Sequence, residues 1–289
     1  MILIGENINV MSKTLGPALK EMQEGPILEM IKTEDASDVD YMDLNIGPAR
    51  LNGTALLPWL VDLVQANSEK HVSLDTSNSD AIDAALAKCN KAALINSVSL
   101  QPERLEKTLP LVSKYDADMI GLLWGEEGMP RDVDERCMHM VDLVLKAQEA
   151  GVAEDRIWID PIATPISGDI NQVIACLDFM DMLPEINPNC KSIVGLSNVS
   201  NGTPRALRPY LNRTYLAMLK RKGLYSAIVD ATDYTLIDIA RDRAPEITEV
   251  IYNAMDGDDS IPSDPELAKY AKTVQVLLGK KLYSHMWLD

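Results

Sequence analysis

His71-Val72-Ser73-Leu74-Asp75-Thr76-Ser77-Asn78 leads through an amphipathic stretch to Ala92-Ala93-Leu94-Ile95-Asn96. Two short apolar runs, each stopping on a carboxylate or an amide, flank a segment long enough to be a helix, and Asn78-Ser79-Asp80 supplies a helix start signal. The unit reads strand–helix–strand, and it recurs along the chain. Ile2-Leu3-Ile4 leads to Asn7 and Asn9, and Tyr41-Met42-Asp43-Leu44 ends on Asn45. Arg156-Ile157-Trp158-Ile159 ends on Asp160, Ile193-Val194-Gly195-Leu196-Ser197 on Asn198, and Ala227-Ile228-Val229 on Asp230.

The pattern predicts eight strands, near 2–6, 40–45, 71–75, 92–96, 118–123, 156–160, 192–197 and 225–230. Helices are expected near 25–37, 53–68, 78–89, 102–115, 131–150, 171–183 and 203–221, the fourth and seventh opened by Pro102 and Pro204. An eighth helix should follow Asp233, with an interruption at Asp256-Gly257-Asp258-Asp259, a C-terminal helical segment from about 256 and a last helix from about Pro265. Eight alternating units describe a single (β/α)8 TIM barrel spanning 1–289, whose active site lies at the strand C-termini. An open doubly wound sheet is less favoured, because no Gly-rich phosphate turn follows the first strand.

The net charge of −17 argues against nucleic-acid and anionic-membrane partners. A first strand starting at Ile2 leaves no room for a signal peptide, and no apolar run reaches membrane-spanning length, so a cytoplasmic protein is expected. Cys89, Cys137, Cys176 and Cys190 show no zinc spacing and read as reduced thiols. The three histidines, His71, His139 and His285, form no metal set, and no strand ends in lysine, which disfavours Schiff-base chemistry.

A lone Asp at a strand end is as often the cap of the next helix as a ligand. Asp75 resists that reading, since Thr76, Ser77 or Asn78 is available to cap. Asp160 precedes the extended Pro161-Ile162-Ala163-Thr164-Pro165, and Asn96 lies some residues short of Pro102. These three side chains are free to face the rim. A rim built mostly of Asp and Asn suits a neutral heterocycle rich in N–H groups better than a phosphate, because a carboxylate accepting paired N–H donors makes charge-assisted bonds.

Gly5-Glu6-Asn7-Ile8-Asn9, Asp43-Leu44-Asn45, Leu74-Asp75-Thr76, Ile95-Asn96-Ser97, Asp160-Pro161 and Gly195-Leu196-Ser197-Asn198-Val199-Ser200 occur in this order over nearly the whole chain. Together they resemble the pterin-binding TIM-barrel methyltransferases of folate and corrinoid metabolism. The resemblance implies that Asp75, Asn96 and Asp160 grip a pterin ring, with Asp43 and Asn7 supporting the same network. It places Asn198 near N5 as the catalytic residue, and implies tetrahydrofolate or 5-methyltetrahydrofolate as substrate. The other substrate would be a corrinoid (cobalamin). The chain has no Asp-x-His-x-x-Gly element, so that corrinoid is expected on a separate corrinoid protein. Arg50, Arg131 and Arg205 are candidates for docking it, and a homodimer is expected. The direction of methyl transfer stays open at this level.

Two other classes compete. Dihydropteroate synthase would need a basic pair after the last strand, where this chain has Val229-Asp230-Ala231-Thr232-Asp233. A non-catalytic folate-binding subunit would keep the anchors but has no use for Asn198.

Overall fold

The computed structural model describes residues 1–288. Eight parallel strands pair in chain order and close on themselves: β1 Ile2–Gly5, β2 Tyr41–Asn45, β3 His71–Asp75, β4 Leu94–Ser99, β5 Asp118–Leu122, β6 Ile157–Asp160, β7 Lys191–Gly195 and β8 Ser226–Val229. This is a (β/α)8 barrel. The surrounding helices are α1 Leu15–Lys20, α2 Glu24–Ala36, α3 Gly53–Gln65, α4 Ser79–Leu86, α5 Pro102–Lys107, α6 Leu109–Tyr115, α7 Val133–Glu149, α8 Ile170–Ile186, α9 Arg208–Arg221, α10 Tyr234–Ala240, α11 Pro245–Met255 and α12 Pro265–Leu277. Among the described residues no helix is long and apolar enough to cross a membrane.

Strand side chains alternate between two faces, and that alternation sorts this chain. Met42, Leu44, Val72, Leu74, Ile95, Ile157 and Ile159 point outward into one apolar layer beneath the helices, while Leu3, Val194, Ala227 and Val229 point into a second. The inward positions Ile4, Leu94, Ile120, Trp158, Ile193 and Ile228 plug the barrel interior. Among them Trp158 meets Tyr41 and Tyr225 edge-on, donates from Nε1 to Asp118 at 3.0 Å, and carries the Lys191 ammonium over its ring. These side chains fill the barrel interior below its C-terminal mouth.

Five details differ from the expectations. β4 runs on to Ser99, because its pairing with β5 shifts between Ile95 and Val98 and lets the strand continue past Asn96. The helix expected over 102–115 divides at Thr108, where Pro110 in the first turn of α6 brings no N–H to continue the ladder. Residues 203–207 are turns rather than helix. The Thr203 carbonyl accepts from Arg208 Nε at 2.8 Å, and α9 starts only there, with Pro209 in its first turn. The segment after Asp233 breaks at Asp242, whose φ is 60°, before Pro245 opens α11. The short α1 had no clear signal.

Side-chain caps start several helices: Asn78 accepts from Ala81, Asp132 from Glu135, Asp233 from Leu236 and Asp264 from Leu267. Each such cap stabilises its helix by about 1 kcal/mol. Near the C-terminus Trp287 is buried and donates from Nε1 to Thr273 Oγ1 at 3.0 Å.

Candidate active site

The same alternation that builds the core delivers polar side chains to the mouth. Continuing the inward-facing series by one step gives Glu6 after Ile4, Asn96 after Leu94, Asp160 after Trp158 and Asp230 after Ile228. β2 and β3 contribute two steps each, Asp43 with Asn45 and Ser73 with Asp75. Their register places Asn45 beside Asp75, and Asp75 beside Asn96, on three adjacent strands.

Asp43, Asp75 and Asn96 are brought together. Buried Asp43 accepts from Ser73 Oγ at 2.6 Å and from Asn96 Nδ2 at 3.1 Å. Asn45 Nδ2 donates to Asp75, while Asn45 Oδ1 accepts from the Gly47 N–H at 3.0 Å. Burial holds the Asp43 carboxyl above the usual carboxylate range despite its two donors. Asp75 is held well above it, by burial first and then by the neighbouring Asp43 charge. Asp43 receives two side-chain donors, Ser73 and Asn96, and Asp75 one, Asn45, so of the two Asp43 is the better supported as an anion.

Asp160 stands across the mouth. Its Oδ1 accepts from the Ile162 N–H at 2.8 Å, and burial raises its carboxyl to about 6. Ile162 has φ 69°, a left-handed conformation costly for a β-branched residue. Backbone strain of this kind concentrates where a side chain must be aimed. Fully buried Arg136 holds this loop, donating from Nε to the Pro161 carbonyl at 2.8 Å and from its other nitrogens to the Asp132 carbonyl and to Gln172.

Asn7 and Asn198 are differently placed. The Asn7 side chain ties β1 to β8, donating to Asp230 Oδ1 at 2.8 Å and accepting from the Ala231 N–H at 2.9 Å. Its amide is thus engaged within the rim. Asn198 is exposed on the 3₁₀ turn Leu196–Ser200 that leaves β7, and its Oδ1 accepts from Asn201 Nδ2 at 3.3 Å. One residue earlier, Ser197 Oγ donates to Glu6. Burial, opposed by that hydrogen bond and reinforced by the Asp230 and Asp43 charges, raises Glu6 to about 7.

Reading the sequence assigned no role to Glu6, Asn45, Asp230, Arg104 or Glu34. The first three were visible as strand-end polar residues. Arg104 of α5 donates to the carbonyls of Thr76, Ser77 and Ser97, clamping the loops behind Asp75 and Asn96. Its partners are carbonyls on two loops, which no sequence spacing announces. Among the docking candidates, Arg131 is paired with Glu135, whereas Arg50 and Arg205 are exposed.

The mouth therefore presents ionised carboxylates, carboxyls that hold protons near neutrality, and amides, without a lysine among them. Such a ring of acceptors and donors matches a planar heterocycle carrying both N–H and carbonyl groups along its edge.

The chain is 26% identical to the methylcorrinoid:tetrahydrofolate methyltransferase of Eubacterium limosum over 234 residues, 80% of this chain and 86% of that protein. It is 28% identical over 243 residues to the methionine synthase of Mycobacterium tuberculosis (strain ATCC 25618 / H37Rv), and 26% identical over 265 residues to that of Mycobacterium leprae (strain TN). Those alignments cover 80% and 88% of this chain but only 20% and 22% of the synthases. A dihydropteroate synthase from Coxiella burnetii, solved in complex with pteroic acid, superimposes with a TM-score of 0.58 at 19% identity. That superposition covers 84% of this chain and 94% of the other, a likeness of fold alone. Residues 45–230, which carry every strand from the end of β2 to β8, match the family model described as pterin binding enzyme, and the chain belongs to that family.

Proposed function

We propose that this barrel transfers a methyl group between N5 of tetrahydrofolate and the cobalt of a corrinoid carried on a separate protein. The observation that carries the reading is the convergence of Asp75, Asn96 and Asp160 on one mouth, with Asn198 exposed on the adjoining turn. The relative named methylcorrinoid:tetrahydrofolate methyltransferase, aligned over most of both chains, supports the same chemistry. In this reading Asp75, Asn96 and Asp160 hold the pterin edge, Asp43 and Asn7 brace them, and Asn198 lies at N5.

The reaction sets what these residues must do. In one direction the N5–CH3 bond breaks, its electron pair stays on N5 with a proton, and the methyl cation equivalent joins Co(I). In the other, N5–H gives up that proton as nitrogen attacks the methyl group on cobalt. An amide orients and hydrogen-bonds N5 but supplies no proton. Glu6, a half-buried carboxyl raised to about 7 and bonded to the residue preceding Asn198, is suited to hold it. General acid–base help of this kind is worth roughly 10²–10⁴-fold. Holding the two reactants in line supplies the other major contribution.

The corrinoid protein would dock at the mouth, where exposed Arg50 and Arg205 offer local positive charge on an acidic enzyme. The reading also takes 1–289 as one domain in a cytoplasmic homodimer, the commonest symmetric assembly. Exposed Met138, Val141 and Leu145 on α7, beside Met182 and Ile186 on α8, offer an apolar face for it. A dihydropteroate synthase reading is weakened at the last strand. Asp230 there accepts from Asn7 and Thr232, and Asp233 caps α10 and pairs with Arg213, so the segment after β8 offers acids where that reaction would need a basic pair.

The test is anaerobic: purified protein and tetrahydrofolate are added to methylcobalamin, and the corrinoid spectrum is followed. Appearance of Co(I) together with methyltetrahydrofolate supports the reading. Binding without conversion, also with a corrinoid protein present, reduces the chain to a folate-binding subunit. No folate binding sinks the pterin assignment.

A further inference from the structure

Glu34 breaks the apolar stripe of α2. Ile27, Ile31 and Glu34 are the residues that helix buries, and all three have no exposed surface. The Glu34 carboxyl lies against the outward side of Gly5, where a Cβ would come within 2.9 Å of either oxygen, so glycine is what admits it. Oε1 accepts the Asn7 backbone N–H at 2.8 Å, and Oε2 is buried with no hydrogen-bond partner.

The charged groups facing it are Glu6 at the end of β1, Asp43 on β2 and Asp230 after β8. All three are acids. The nearby ion pairs, Lys32 with Glu29 on α2 itself and Lys88 with Asp62 of α3, are on exposed surfaces and do not include it. A buried carboxylate with three acids around it and no cation is far more costly than a neutral acid with one unpaired oxygen.

We propose that Glu34 is a positioning residue that works as a neutral carboxylic acid, fixing the Gly5–Asn7 turn from which Glu6 and Asn7 reach the mouth. The functional consequence rests on the pterin reading; the protonation and the geometry do not. Burial, opposed by the Asn7 N–H and reinforced by the three neighbouring acids, raises the Glu34 carboxyl to about 8. By staying uncharged it leaves the mouth with one fewer negative charge beside the groups that contact the ring.

Three measurements on full-length protein test this. Glu34→Gln keeps an oxygen for the Asn7 N–H and is neutral, so at pH 6 it should bind tetrahydrofolate within about twofold of the parent. Glu34→Ala loses that acceptor and should bind at least tenfold more weakly. In urea unfolding, the parent should lose close to a factor of ten in its folded-to-unfolded ratio, relative to Glu34→Gln, for each pH unit between the ordinary carboxyl range and about 8. The carbon-13 carboxyl resonance of Glu34, assigned by its absence in Glu34→Gln, should titrate near 8 in the parent. A titration in the ordinary carboxyl range, a pH-independent stability difference, or binding by Glu34→Gln as weak as by Glu34→Ala would overturn the proposal. If the parent binds no tetrahydrofolate, the pterin reading fails, while the unfolding and resonance measurements still decide Glu34.

Discussion

Asp160→Asn should weaken folate binding and stabilise the protein at the same time. Asp160 Oδ1 already receives the N–H of Ile162, so its second oxygen is left for a ligand. Asparagine keeps an oxygen toward Ile162 and puts an NH2 where a ring N–H must be accepted. The loss of one charge-assisted hydrogen bond is worth about 1.5–3 kcal/mol. That corresponds to a rise of roughly 10- to 100-fold in the Kd for tetrahydrofolate.

Stability moves the other way. The carboxyl holds its proton to about 6 in the folded state, against an ordinary value of 3.8. A group that binds its proton more tightly when folded contributes stability below the lower value and has lost it by the higher one. At pH 7 the parent therefore bears the full cost, which asparagine does not. A shift of about two units corresponds to ~3 kcal/mol in full. The carboxyl reaches solvent at the mouth, so we expect ~1 kcal/mol, a few degrees in Tm. Anaerobic titration calorimetry with tetrahydrofolate and scanning calorimetry without it at pH 4 and pH 7 read both effects. The Tm advantage should be present at pH 7 and vanish by about pH 4. An unchanged Kd would remove Asp160 from the ligand, and a lower Tm at pH 7 would refute the burial cost.

Other outcomes follow from the same geometry. If Asn198 bonds N5 in the transition state, as proposed, Asn198→Ala should slow methyl transfer in single-turnover experiments far more than it raises the Kd; an effect confined to affinity would contradict that. Transfer from methyltetrahydrofolate should fall as pH rises through about 7, where Glu6 loses its proton. Glu6→Gln should abolish that limb and slow transfer by about 10²–10⁴-fold, and a variant with the parental pH profile would exclude Glu6 as the proton holder. Arg136→Met strands the acceptors of Pro161, Asp132 and Gln172 and should cost about 3 kcal/mol in urea unfolding. A loss below 1 kcal/mol would mean that the loop finds other donors.

The fold was legible because its code is local. Runs such as Val72-Ser73-Leu74-Asp75 alternate with period two, and several strands that end on Asp or Asn are followed by a helix with its own start signal, as at Asn78. Where local signals competed, the boundaries moved: Pro110 split one helix, and Pro204 turned the chain before Pro209 could start another. The same alternation announced which residues would line the mouth, since Asp43, Asp75, Asn96 and Asp160 continue the inward-facing series of their strands.

The sequence by itself determined a parallel strand–helix barrel and a mouth of acids and amides. It could not determine which of those groups touch, because the contacts join distant segments: Asn7 meets Asp230, Asn96 meets Asp43, and Ser197 meets Glu6. Closure of the barrel sets those pairs through strand register, and burial then sets their protonation. Glu34 was written in the sequence as a carboxyl on an apolar stripe. Only the packing of α2 against Gly5, which seals that carboxyl from water and surrounds it with other acids, decided that it is a neutral one.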